Sequence, residues 1–197
     1  MYVQIIEGRT SNPERLRHQG ERWQEELRPG AAGFLGVTSG TTADGRAVTI
    51  VRFETAAAAR SNSDRPEQGA WWAETAGCYH GDPAFTESGD VEELLGGGSN
   101  DAGFVQVMKI TAADRSRFGP LDQAMPRLAE LRPDLLGACR IWTGPTACVQ
   151  VGYFTSEAEA RAGERKEIPA DLQPTMAQFQ EIARHAEYLD LPDPQLF

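Results

Sequence analysis

The apolar positions along this chain switch between two periods. Residues 2–7 alternate, with Val3 and Ile5 on one side and Tyr2, Gln4 and Ile6 on the other, and so predict a strand. Asn12-Pro13 predicts a helix start, because Asn caps the first turn and Pro fits where its missing N–H costs nothing. Leu16, Gly20, Trp23 and Leu27 recur at helical spacing, and Pro29-Gly30 ends that element. Alternation returns over 33–38 and 47–54, joined by a turn at Ala43-Asp44-Gly45. Thr55 caps a short helix over 56–60. Pro66 opens another that reaches about Tyr79, and 85–87 predicts a fourth strand. The order is β-α-β-β-α-β.

The second part of the chain repeats that order. Phe104 to Met108 reads FVQVM against YVQII at Tyr2 to Ile6, which places Gln106 where Gln4 stands. Leu27-Arg28-Pro29 recurs as Leu131-Arg132-Pro133, with glycines following at Gly33 and Gly40 and at Gly137 and Gly144. Phe53 to Arg60 recurs as Phe154 to Arg161. The offsets stay near one hundred residues, the sign of a duplicated unit. Phe118, Leu121, Met125 and Leu128 form the next helix stripe, which Pro126 is expected to kink. A hairpin over 137–143 and 147–154, a helix carrying Leu172, Met176, Phe179 and Ile182, and a strand over 187–191 complete the repeat.

The expected organisation is therefore a first half over 1–95, a glycine-rich linker over 96–103, and a second half over 104–197. Each half would lay four antiparallel strands under two helices in a ferredoxin-like α+β arrangement. The bare face carrying Tyr2, Gln4, Ile6, Phe104, Gln106 and Met108 needs cover, and the other half is the simplest cover. The two sheets would then pack face to face as an intramolecular dimeric α+β barrel, with Gln4 and Gln106 buried between them and bonded to each other or to water.

Composition narrows the partners. The 197 residues carry a formal net charge of −10 with no basic run to offset it. That disfavours nucleic acid and anionic membrane as partners. No apolar run reaches the length of a membrane span. Three cysteines without CxxC spacing indicate neither a disulfide framework nor a zinc site. A cytoplasmic location is expected, with further homodimerisation left open.

The most individual stretch runs from Ser61 to Trp72. Adjacent helical residues point about 100° apart, so Trp71 and Trp72 cannot face the same core. Either both cover the sheet edge, or one lines a pocket mouth, where an indole offers a flat face and a donor. No equivalent tryptophan stands in the second half, so a single site would belong to the first. Gln4, Asn62, Arg65, Trp71, Trp72 and Gln106 are the candidate pocket residues. No nucleophile–base order, metal-ligand spacing or phosphate loop stands out.

The βαββαβ order, the tandem halves and the Trp-bearing second helix resemble the dimeric α+β barrel superfamily. Within it the chain is similar to the antibiotic-biosynthesis-monooxygenase-like (ABM-like) proteins in fused two-copy form. The resemblance implies a small aromatic or hydrophobic ligand and, for an enzyme, oxygenation of it without a cofactor. A non-catalytic small-molecule-binding or stress-related protein is the alternative. Haem binding through His80 is a further one, and the haem-degrading branch of the superfamily carries an Asn on the first strand and a Trp and a His on the second helix. Here Trp71 or Trp72 and His80 would stand for the last two, while Gln4 stands where that branch has Asn.

Overall fold

The alternating and helical segments fold as read, in a computed structural model that describes residues 1–111 and 114–197. The first unit comprises residues 1–91 and 193–197, the second residues 92–192. In the first, β1 (Tyr2–Arg9) lies between β3 (Arg46–Phe53) and β4 (Ala84–Ser88), and β2 (Phe34–Thr41) continues the sheet beyond β3. In the second, β6 (Phe104–Thr111) lies between β8 (Ala147–Phe154) and β9 (Glu187–Leu191), with β7 (Leu135–Gly144) beyond β8. All these pairings are antiparallel.

Each sheet has five strands rather than the expected four. The fifth strands are short: β5 (Val91–Leu94) lies beside β7, and β10 (Gln195–Leu196) beside β2. Neither shows in the sequence, because so few residues carry no readable alternation. Both cover what would otherwise be an open edge of unpaired backbone groups.

The helices follow the predicted signals. Helix α1 (Pro13–Arg22) begins where the Asn12 side chain accepts from the Arg15 amide. It then widens into a π-helical turn over Trp23–Leu27 and tightens over Arg28–Gly30. Leu16, Trp23 and Leu27 are buried as the stripe requires. Helices α2 (Ala56–Ser63) and α3 (Pro66–Ala76) follow, the first capped by Thr55. The second unit carries α4 (Gly119–Leu131), α5 (Glu157–Glu164) and α6 (Gln173–Ile182). Pro126, expected to kink its helix, lies inside α4, which runs on through it.

The expected burial of Gln4 and Gln106 between the sheets is corrected. Both stand on the face that the helices of their own unit cover. In the second unit Met108 and Ile110, which share that face with Gln106, pack against Phe118, Leu121 and Ile182. In the first, Gln4 and Ile6 look toward the residues of α1 and α3. Nor do the two glutamines bond each other. Gln4 Nε2 donates to Glu87 at 2.7 Å, and Gln106 Nε2 donates to Asp190 at 2.9 Å. The partners are the residues directly across the strand pair, Gln4 opposite Glu87 and Gln106 opposite Asp190. A half-buried amide takes the nearest strong acceptor, and the facing strand supplies a carboxylate.

The β2 and β7 registers both slip by one residue, between Phe34 and Gly36 and between Leu135 and Gly137. Gly36 pairs with Arg52 and Gly137 with Tyr153, so Gly137 corresponds to Gly36 rather than to Gly33. At Gly137 a Cβ would collide with the carbonyl oxygen of Gly97. Gly137→Ala should therefore destabilise the protein by about 1–3 kcal/mol through overpacking against backbone, read as a lowered urea midpoint at unchanged slope.

Candidate functional site

A cavity of about 310 Å³ lies within the first unit, between sheet and helices. Its sheet side is built from alternate residues of three neighbouring strands: Gln4 and Ile6, Val37 and Ser39, and Thr49, Val51 and Phe53. Leu16, Gly20 and Trp23 come from the first helix and its π-helical turn. Asn62 and Ser63 come from the end of α2, and Gln68, Trp71, Trp72 and Thr75 from α3. Phe34, Gly69, Tyr79, Phe85, Gln195 and Phe197 complete it. Gly20 has a local reason: a Cβ there would meet Gln195 Oε1 at 2.6 Å.

The lining is aromatic. Trp23 packs on Phe34 with centroids 4.8 Å apart and stacks with Phe197 at 6.2 Å. Trp72 meets Phe85 edge-on at 5.1 Å and lies 6.0 Å from Trp71. Two indole N–H groups are already spoken for: Trp23 donates to Gln68 Oε1 at 2.7 Å and Trp71 to the Gln19 carbonyl at 2.9 Å. Trp71 is thereby held by its nitrogen. Among the described residues the Trp72 nitrogen has no hydrogen-bond partner, and its ring packs against Phe85 and Tyr79.

The polar part of the lining is neutral. Ser39 and Thr49 share a hydrogen bond of 2.8 Å across the strand pair. Tyr79 bonds Thr49, and burial pushes its phenol up to about 12 from 10.0. Among the described residues, no carboxylate, imidazole, guanidinium or ammonium side chain lines the cavity. A charged ligand would lose its hydration here without a partner, which costs several kcal/mol.

Of the six pocket residues named from sequence, Gln4, Asn62, Trp71 and Trp72 come together in this lining. Arg65 lies outside it and donates to the Leu27 carbonyl, to Asn62 Oδ1 and to Glu67. Gln106 belongs to the second unit and pairs with Asp190. His80 is exposed and lies outside the lining. The cavity residues do not fit a haem: among the described residues no imidazole or thiolate lines it, the Tyr79 phenol stays protonated, and no cation stands ready for the propionates. Ser39, Thr49, Tyr79, Phe34, Phe53 and Phe197 are not apparent from sequence. They lie far apart in the chain and carry no spacing signal of their own.

The second unit fills the corresponding space. Ser39 pairs with Thr49 across β2–β3, and the matching register across β7–β8 pairs Arg140 with Gln150. Arg140 is fully buried. It donates to Asp122 at 2.9 Å and to Glu92 at 2.7 Å, and its guanidinium lies 4.0 Å over the Phe118 ring. Trp142 donates to the same Glu92. A long cation with two carboxylates and an aromatic face thus stands where the first unit has a serine and open space.

Two outcomes follow. Arg140→Met should destabilise the fold by about 1–3 kcal/mol in denaturant melts. That is less than the 3–5 kcal/mol of a wholly buried pair, because Asp122 and Glu92 keep side-chain exposures of 35% and 28%. A phenol shifted upward by folding stabilises the fold fully below its ordinary value, and that contribution is lost as pH rises. Wild-type stability should accordingly fall between pH 10 and 12, and the fall should be shallower in Tyr79→Phe, with Cys148, Tyr2 and Tyr188, also shifted upward, supplying the rest.

No family model and no curated protein matches the chain. Solved structures do. A "putative monooxygenase" from Fusobacterium nucleatum subsp. nucleatum superposes with a TM-score of 0.72 at 10% identity, over 99% of this chain and 93% of that one. A second "putative monooxygenase", from Lactobacillus acidophilus NCFM, gives 0.69 at 9% identity over 100% and 98%. An anthrone oxidase-like protein gives 0.56 at 9% identity over 100% and 92%. At such identities the likeness is one of fold. The ferredoxin-like α+β architecture expected from the sequence is the one found, along the whole length of the chain. No helix of the described residues is long and apolar enough to cross a membrane.

Proposed function

We propose that the first unit binds a small, uncharged aromatic molecule in its cavity and that the protein is an ABM-like oxygenase acting on it. The observation that carries this is the lining itself: aromatic rings on several sides, hydroxyl and amide groups between them, and no charged side chain among the described residues. A site of this volume lies at the lower end of small-molecule pockets, which suits two or three fused rings. Trp72 and Phe85 offer faces and edges for stacking.

The chemistry can balance without a reductant. Oxidation of a ring-activated methylene by O2 gives a carbonyl and one water, with both electron pairs supplied by the substrate. Such a substrate must first lose a proton. Among the described residues no side chain of the cavity takes it at neutral pH, since Tyr79 stays protonated. The substrate's own acidity then sets the step, while the protein excludes water, positions the ring and donates hydrogen bonds to the developing oxyanion. Anthrone is a suitable first compound, because one structure of this fold is an anthrone oxidase-like protein.

The same missing base favours a second reading, in which the cavity binds a ligand and performs no reaction. One experiment separates the two. Anthrone is incubated aerobically with the protein, and O2 uptake is measured beside formation of anthraquinone. Acceleration over the spontaneous rate is expected, with kcat/KM reduced about tenfold in Trp72→Ala, the size of effect that one lost aromatic contact of about 1.4 kcal/mol produces. Saturable binding without acceleration would leave the non-catalytic reading, and neither binding nor turnover would remove the cavity as a site for such molecules.

A further inference from the structure

Two amides that line the cavity are each tied to a charge of opposite sign. Asn62 is 6% exposed. Its Oδ1 accepts from Arg65 Nη1 at 3.0 Å. A guanidinium carries donors and no acceptor, so the flipped amide would set N–H against N–H. Arg65 is itself held by the Leu27 carbonyl and Glu67. Asn62 Nδ2 is left with its two donors and no partner among the described residues, in a residue that lines the cavity.

Gln4 is polarised the other way. Its Nε2 donates to Glu87 at 2.7 Å, and the Tyr2 hydroxyl donates to the same carboxylate at 2.9 Å. These two bonds hold Glu87 below the usual carboxylate range, so it remains an ionised acceptor at neutral pH. The Gln4 side-chain oxygen Oε1 is left without a partner among the described residues, again in a residue that lines the cavity.

We infer that Asn62 and Gln4 fix the polarity of the ligand: it presents a hydrogen-bond acceptor to Asn62 Nδ2 and a donor to Gln4 Oε1. Arg65 and Glu87 are positioning residues that set the two amides and do not line the cavity. The inference rests on the cavity being a ligand site, as proposed above. It narrows the ligand to an uncharged aromatic carrying both a carbonyl-type acceptor and, elsewhere on the ring system, a hydroxyl or N–H donor. An aromatic hydrocarbon would leave both amides unpaired, which is the origin of discrimination in sites built around polar groups.

Four probes share one ring system and separate these demands: naphthalene, 2-naphthol, 2-acetylnaphthalene and 6-acetyl-2-naphthol. Their dissociation constants are measured by equilibrium dialysis against wild type, Asn62→Asp and Gln4→Met. Asn62→Asp keeps an oxygen for Arg65 but replaces the free donor by an acceptor. Gln4→Met keeps the length of the side chain and removes the acceptor, leaving Glu87 its bond from Tyr2. In wild type each polar group on the probe should tighten binding about threefold to tenfold. In Asn62→Asp the gain from the acetyl group should vanish while the gain from the hydroxyl stays. In Gln4→Met the hydroxyl gain should vanish and the acetyl gain should stay. Naphthalene should still bind each variant, and should bind Gln4→Met at least as tightly as wild type because one unpaired amide is gone, which also reports an intact cavity. If all four probes bind wild type with similar constants, or if either gain survives its variant, the assignment of the amides is overturned and the cavity as a binding site still stands. If none of the four binds wild type, the binding reading fails and takes the assignment with it.

Discussion

A layer of helices laid across a sheet leaves a space that side chains must fill, and the contents of that space govern the rest of this molecule. In the second unit a buried guanidinium fills it. Arg140 is neutralised by Asp122 and Glu92 and lies over Phe118, so its charge is matched and its volume used. In the first unit the register-equivalent residue is Ser39, whose hydroxyl is satisfied by Thr49 and whose small volume leaves the space open. Two copies of one architecture thus differ in what stands at this point under the helices, open space in one and a buried guanidinium in the other. The difference turns on one strand position and on the residues facing it.

An open space under a helix layer forfeits dispersion contacts along its walls. The first unit limits the loss by lining the cavity with rings that contact one another. Trp23, Phe34 and Phe197 form one group, Trp72, Tyr79 and Phe85 another, and Trp71 lies beside Trp72. The polar groups among them are mostly satisfied by one another, as in the Ser39–Thr49 and Trp23–Gln68 bonds. What remains is an apolar, uncharged volume with two amide functions left over. Those leftover functions give the volume a chemical preference as well as a shape.

The repeated glutamine shows how the same motif serves two ends. In both units the first-strand Gln donates to a carboxylate directly across the ladder, and in both it stands on the helix-covered face. In the second unit Asp190 also accepts from Arg161, so Gln106 joins an ion-pair network. In the first unit Glu87 accepts only from Tyr2 and Gln4 among the side chains bonded to it, and Gln4 borders open space.

The sequence by itself determined the duplication, the β-α-β-β-α-β order, the helix starts at Asn12-Pro13 and Thr55, and the sharing of one strand face by Tyr2, Gln4 and Ile6. These follow from local physics: side-chain alternation, helical periodicity and capping act over a few residues. It also drew attention to Asn62, Trp71 and Trp72, because two adjacent indoles cannot share a core. Only the tertiary structure decided which face of each sheet the helices cover, since alternation sorts residues into two faces without saying which is covered. The gathering of Phe34, Phe53, Tyr79 and Phe197 around one volume was likewise beyond the sequence, as was the pairing of 91–94 and 195–196 at the sheet edges. Those outcomes depend on contacts between residues far apart in the chain, as does the placing of Ser39 and Arg140 at equivalent points of two layers, one open and one closed.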